Sequence, residues 1–259
     1  MGVRHMALKI RKTDYLPGTY AQKRPGAAQM AQQYIREWEQ KRLKARERKS
    51  FPAEIVPTIC FSRKIGVGAL EIADILADKI KFRVADREIL ETIANDKKLA
   101  AKTVAFFDER YPGKMVELTK MLFGEKSFIM SDYLRHIIGA IFAMAETGST
   151  IFVGRGAHLF LPRERVLAVR FICSDEHRIQ RLSKIMGVET KKAKKMLKKI
   201  DTEQRDFFKK AFGRKDASAY EFDMVINCDY IPKPKMAARI VANAFKQKFG
   251  TELKKSRSV

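Results

Sequence analysis

Residues 58–80 read TICFSRKIGVGALEIADILADKI, and the order of textures in that stretch decides the fold. Thr58-Ile-Cys-Phe61 is a short apolar run with the character of a buried strand. Ser62-Arg-Lys-Ile-Gly-Val-Gly-Ala69 follows as a glycine-containing turn. Leu70, Ile72, Ala73, Leu76, Ala77 and Ile80 then recur at helical spacing. Gly66 and Gly68 let backbone N–H groups approach a phosphate with no Cβ in the way, and the helix behind them adds its positive end. Glycines at these places equally suit a turn that needs them for geometry alone. Ser62, Arg63 and Lys64 precede the glycines. The two cations either swing charge toward such a phosphate or stand as solvated turn residues.

The alternation continues toward the C-terminus. Lys81 to Val84 predicts a short strand, and Asp86 a cap for the helix through Ile89, Leu90 and Ile93. Pro112 and Gly113 break a variable middle. Ser127 to Glu146 predicts a long apolar helix stopped at Gly148. Thr150–Val153 is a strand ending in Gly154-Arg155-Gly156, and Val166–Cys173 is another, with Ser174 or Asp175 capping the helix that follows. Thr190 to Ala211 is a lysine-rich helix whose apolar side is Ala193, Met196, Leu197 and Ile200. A last strand at Asp223–Asn227 and a closing helix at Pro232–Phe249 complete the series. Strands alternating with helices predict a three-layer α/β domain, its parallel sheet covered on both faces.

Toward the N-terminus the texture changes. Residues 1–26, with Pro17, Gly18, Pro25 and Gly26, read as an extended arm. From Ala27 to Lys49 the pattern is helical, with an apolar stripe of Met30, Tyr34, Ile35 and Trp38. That stripe docks either on the body or on a partner subunit, and the basic end from Lys41 to Lys49 offers a nucleic-acid contact. The expected organisation is a basic arm and helix at 1–52, a body at 53–249 and a basic tail at 250–259.

The net charge of +23 is unevenly placed. Residues 1–52 carry +9, residues 176–220 carry +8 and residues 246–259 carry +4, leaving only +2 for everything else. Nucleic acid is therefore a candidate partner through the arm and the tail. The lysines at 191, 192, 194, 195, 198 and 199 read as the solvated face of an amphipathic helix. No apolar run approaches the roughly 20 residues of a membrane span, and no apolar leader segment opens the chain. Cys60, Cys173 and Cys228 lie in or beside apolar runs without metal-type spacing, as buried thiols of a reducing cytoplasm do. The four histidines are scattered, so no metal site built from side chains alone is expected.

Set against the P-loop pattern G-x-x-x-x-G-K-[ST], with Gly68 as the second glycine, the lysine position holds Ala69 and the hydroxyl position Leu70. Several segments in order nevertheless resemble the cytidylate-kinase-like family, P-loop relatives of nucleoside monophosphate kinases. Its first motif, Ser-Arg-x-x-Gly-Ser-Gly-Gly, appears as Ser62-Arg63-Lys64-Ile65-Gly66-Val67-Gly68-Ala69, departing at Val67 and Ala69. The segment Val84-Ala85-Asp86-Arg87-Glu88-Ile89 matches a strand end, acid and helix, and Gly154-Arg155-Gly156-Ala157 a Gly-Arg-Gly-Ala turn. An Arg-x-x-Arg helix appears as Arg178 and Arg181. Asp201 and Arg205, with Phe207 and Phe208, match the Asp-x-x-x-Arg pattern, and Tyr220 and Asp223 lead into the last strand. The match covers residues 55–249.

The resemblance implies a P-loop kinase fold that binds ATP with Mg²⁺ and a nucleoside monophosphate acceptor, CMP by family. Asp86 and Arg155 would face the acceptor, and residues 176–220 would form a lid. In phosphoryl transfer the protein's part is positioning and charge stabilisation. Arg178, Arg181, Arg205 and Arg214 are the lid candidates. Asp201, one helical turn before Arg205, is expected to pair with it and orient it. Two rivals stand beside the kinase: a catalytically weak nucleotide-binding regulatory module, favoured by Ala69, Leu70 and Gly156 (orthodox cytidylate kinases have an aspartate there), and a nucleic-acid-associated protein using its basic ends.

Overall fold

The computed structural model describes residues 8–10, 13–15, 26–47, 55–123, 131–213 and 216–255. Within the expected arm, β1 (Leu8–Ile10) and β2 (Thr13–Tyr15) form a small antiparallel pair, so the arm is not extended throughout. The body follows in the order α1 (Ala27–Glu47), β3 (Thr58–Arg63), α2 (Ala69–Ile80), β4 (Arg83–Asp86), α3 (Arg87–Asn95), α4 (Lys97–Arg110) and α5 (Lys114–Phe123). Then come α6 (Asp132–Thr147), β5 (Thr150–Val153), α7 (Ala157–Phe160), β6 (Val166–Ile172), α8 (Asp175–Met186), α9 (Thr190–Phe212), β7 (Met224–Asn227) and α10 (Pro234–Lys255).

Strands β3 to β7 form a parallel sheet in the order β4-β5-β3-β6-β7. The chain leaves β3 toward one edge, returns through β5, and crosses to the other side with β6. The point where this direction reverses lies beside the carboxyl end of β3, where open α/β sheets bind ligands.

Side-chain alternation along each strand divides the core in two. Ile59, Phe61, Ile151, Val153, Leu167, Val169 and Phe171 face one layer, where Leu76 of α2 and Val241 and Phe245 of α10 close over them. Cys60, Ala85, Phe152, Val166 and Ala168 face the other, packed by α1, α3, α4 and α6. The three-layer expectation is met.

Several boundaries differ from the sequence reading, each for a local reason. The fourth strand starts at Arg83 because Lys81, at φ 59°, is the left-handed stop of α2. Helix α6 begins at Asp132, where Ser131 caps the Leu134 amide; residues 127–130 of the expected helix lie outside the described residues. The closing helix runs past Phe249 to Lys255. Cys60 and Cys228 are buried, whereas Cys173 at the end of β6 is only half-buried.

The stripe on α1 docks on the body: Ala31, Tyr34, Ile35 and Trp38 are all buried in the second layer. Trp38 meets Phe106 edge-on at 5.1 Å. At the rim, Arg83 pairs with Glu37 at 2.9 Å and Lys41 Nζ donates to the Thr147 carbonyl at 2.7 Å. The helix also reaches the edge strand β4, where the Tyr34 hydroxyl donates to the Val84 carbonyl at 3.4 Å.

Candidate functional site

The carboxyl ends of β3, β4 and β5 converge on one group of cations. Arg63 ends β3, Arg87 opens α3 directly after β4, and Arg155 sits in the turn after β5. The turn Gly154-Arg155-Gly156 has φ values of 88°, 54° and 71° in succession. Arg155 is thus one of only two non-glycine residues at positive φ among the described residues. Such a conformation costs about 1–3 kcal/mol and marks a place where the surroundings dictate the backbone.

The side chain of Arg155 is 8% exposed. One Nη donates to Glu91, and the guanidinium lies over the Phe207 ring at 4.0 Å. Its Nε is buried without a partner. Burial first, then the Arg87 and Arg63 cations, push its pKa down. An arginine nevertheless keeps its proton at neutral pH, so this buried guanidinium stays cationic beside two others. Glu91 is shared: Arg87 Nε donates to it at 3.2 Å and the Tyr133 hydroxyl at 3.1 Å. Burial raises the Tyr133 pKa to about 12, so that hydroxyl remains a donor.

Arg87, Glu91 and Tyr133 were not singled out from the sequence. The i,i+4 spacing of Arg87 and Glu91, immediately after the Asp86 cap, was the available signal. Asp86 itself is buried and accepts from the Ile89 amide at 3.0 Å, the capping role its position suggests.

The turn after β3 has the backbone of a phosphate cradle, with Gly66 at φ 90° and Gly68 at φ 86° just ahead of α2. Ala69 and Leu70 are buried in the layer shared with α10 and supply neither charge nor hydroxyl. The charge comes from α8 instead. A Cβ on Gly68 would lie 3.1 Å from the Arg181 guanidinium, which pairs with Glu71 at 2.7 Å. These residues fit a phosphate chain. They do not fit a Mg²⁺ held by protein: the hydroxyl position is Leu70, and no group of three His, Cys, Asp or Glu side chains suits a metal among the described residues. A nucleotide's own phosphates and water would have to carry the ion. Lys64 is exposed and Ser62 half-buried at the end of β3.

The lid candidates fall into different environments. Arg178 is wholly buried. Its Nε donates to the Ile65 carbonyl at 2.7 Å, one Nη donates to Asp175 at 2.8 Å and to Asp201 at 3.0 Å, and the other donates to Asp201. Burial alone would lower its pKa, but Asp201 and Asp175 raise it. Arg178 therefore clasps α8 and α9 to the phosphate-cradle loop. The expected Asp201–Arg205 pair is not formed: Asp201 turns to Arg178, and Arg205 donates to Thr202 at 3.1 Å on the exposed side of α9. A bidentate, desolvated partner outcompetes an exposed one on the same helix. Gln204 adds a second clasp, donating to the Arg63 carbonyl at 2.9 Å. Arg214 lies outside the described residues.

Gly156 has a steric reason. A Cβ there would fall 2.4 Å from the Phe212 ring, so a larger residue and Phe212 cannot coexist without movement.

Comparison with known proteins agrees with this layout. No match was found among curated proteins. Among solved structures, an uncharacterized protein from Eubacterium ventriosum superposes with a TM-score of 0.56 at 20% identity, over 75% of this chain and 99% of that one. That likeness shows the fold. A shikimate kinase from Bacteroides thetaiotaomicron also matches, at 14% identity over 74% of this chain and 96% of that one, with a TM-score of 0.37. The model of the cytidylate kinase-like family matches residues 58–230, from the first strand of the sheet through α8 and α9 to the turn after β7. A parallel sheet with a glycine turn after its first strand, an arginine cluster at its carboxyl edge and the helix pair α8 and α9 thus has its family: the chain belongs to the cytidylate kinase-like family.

Proposed function

We propose that the protein transfers the γ-phosphate of ATP to a nucleoside monophosphate, with CMP as the first acceptor to test. The observation that carries the reading is the cluster of Arg63, Arg87 and Arg155. Arg155 is buried, strained and incompletely hydrogen-bonded at the carboxyl edge of the sheet. An acceptor phosphate placed there gains charge-assisted hydrogen bonds in a site largely closed to water. The turn at Gly66 and Gly68 would hold the donor phosphates, with Arg181 supplying the cation that Ala69 lacks. A Mg²⁺ arriving with ATP would shield the phosphate charge; the chain's own contribution is the positioning of two anions on adjacent strand ends.

A second reading, a nucleotide-binding regulatory module without turnover, is favoured by the buried Ala69 and Leu70 and by the clasp of Arg178. The deciding experiment incubates the full chain with Mg²⁺ and ATP against a panel of nucleoside and deoxynucleoside monophosphates and follows ADP. Acceptor-dependent ADP release that collapses in Arg155→Gln is the expected result. ATP binding with no turnover on any acceptor would replace it with the regulatory module.

A further inference from the structure

The N-terminal half of helix α9 carries six lysines, at 191, 192, 194, 195, 198 and 199, and all six are exposed. Ala193, Met196, Leu197 and Ile200 point the other way, into the small core shared with α8 or its rim. Asp201 and Gln204 are also on that inner side, against the phosphate-cradle loop. The lysines therefore face away from the nucleotide site and have no role in the proposed transfer.

Their placement is electrostatically unfavourable in the protein alone. Lys191 and Lys192 stand in the first turn, where the macrodipole repels cations; that turn holds no acidic residue, and the nearest acid is Glu189 at the N-cap. Spacings of three and four residues bring like charges together, as at 191 and 195, 194 and 198, and 195 and 199. Among the described residues no ion pair engages any of the six. Arg205 and Lys209 lie further along the helix, but the exposed acids Glu203 and Asp206 interleave with them, so the unbroken basic face is the stretch from Lys191 to Lys199, about 12 Å long at the helical rise.

We propose that this outer face of α9 binds the phosphate backbone of double-stranded DNA without regard to sequence. The stripe carries no exposed aromatic ring on which unpaired bases would stack, which disfavours single strands. It has no exposed apolar residue to enter a lipid surface. A rigid basic rod fits a wide groove lined by phosphates on both walls, as B-form duplex offers and the narrow major groove of duplex RNA does not. This segment is separate in sequence from the arm and the tail, which are basic on their own account.

The test uses the full chain and a fluorescein-labelled duplex of about 20 base pairs, enough to exceed the stripe's length. Anisotropy is followed across a salt series for the wild type and for a variant with Lys194, Lys195, Lys198 and Lys199 all replaced by glutamine. The expected result is at least a tenfold loss of affinity at low salt, with the slope of log K against log salt shallower by about 3.6. A second variant, Lys191→Glu with Lys192→Glu, puts acids in the first turn, where the helix dipole favours them. It should keep or raise the melting temperature while losing DNA, so unfolding cannot account for the loss. Affinity unchanged in both variants would overturn the proposal. So would tighter binding to the single strand, to duplex RNA, or to vesicles containing phosphatidylserine than to the DNA duplex.

Discussion

Arg155 combines three costs: a left-handed backbone, near-complete burial and two cationic neighbours. Replacing it with glutamine should lower the rate of phosphoryl transfer by about 10²–10³, the usual scale for losing one charged donor to a transition state. The melting temperature should not fall, because the substitution also removes a repelled charge; kinetics and thermal unfolding on the same preparation check both parts. Gly156→Ala should behave in the opposite way. Its new Cβ meets Phe212 and takes an unfavourable φ, for a loss of about 2 kcal/mol or more in chemical denaturation. Phe212→Leu should recover part of that loss in a double-mutant cycle. The place of Arg155 in a turn at a strand end was legible from the Gly-Arg-Gly sequence; its left-handed backbone and burial were not. The partner of Asp201 was not. Spacing along one helix ranks only neighbours on that helix, and the winning guanidinium arrives from α8.

At the level of elements, the stripe on α1 announced a docking face but not the surface it meets. Burial of Trp38 against Phe106 supplies that answer. Because Trp38 is the chain's single tryptophan, native emission should be that of a buried indole and shift to the red on unfolding. Trp38→Ala should cost about 3–5 kcal/mol in denaturant titrations. The start of β7 is held differently. Asp223 accepts from Arg163, from the Ala168 amide and from Lys248 of α10. Burial alone would raise its pKa, but those donors hold it below the usual carboxylate range. A depressed carboxylate stabilises the fold above its unfolded pKa, near 3.8, and loses that contribution as pH falls through the lower folded value. Asp223→Asn should therefore cost about 1 kcal/mol at neutral pH, allowing for the partial exposure of the group. The difference from wild type should vanish in acid, as melting curves across pH would show. Alternation of strands and helices was readable throughout, since a sheet buried on both faces leaves apolar runs that survive any rearrangement of loops. Exact ends were less readable, because a left-handed residue such as Lys81 ends a helix without a glycine to announce it.

For the whole molecule, the charge of +23 separates into parts with different explanations. Arg178 ties α8 and α9 to the turn after β3, Arg181 stands beside Gly68 where the proposed donor phosphates would bind, and the outer lysines of α9 do neither. The central claim concerns the inner cations: two phosphate sites on adjacent strand ends, one at Gly66 and Gly68 with Arg181, the other at Arg155 with Arg63 and Arg87. A crystal structure with a bisubstrate analogue, adenosine joined to a pyrimidine nucleoside through a polyphosphate chain, tests this most directly. The account predicts continuous density for that chain from the glycine turn to Arg155, with the Arg155 Nε donating to an acceptor-side phosphate oxygen. Phosphates bound elsewhere on the chain, or an analogue that occupies the glycine turn and leaves Arg155 untouched, would contradict it.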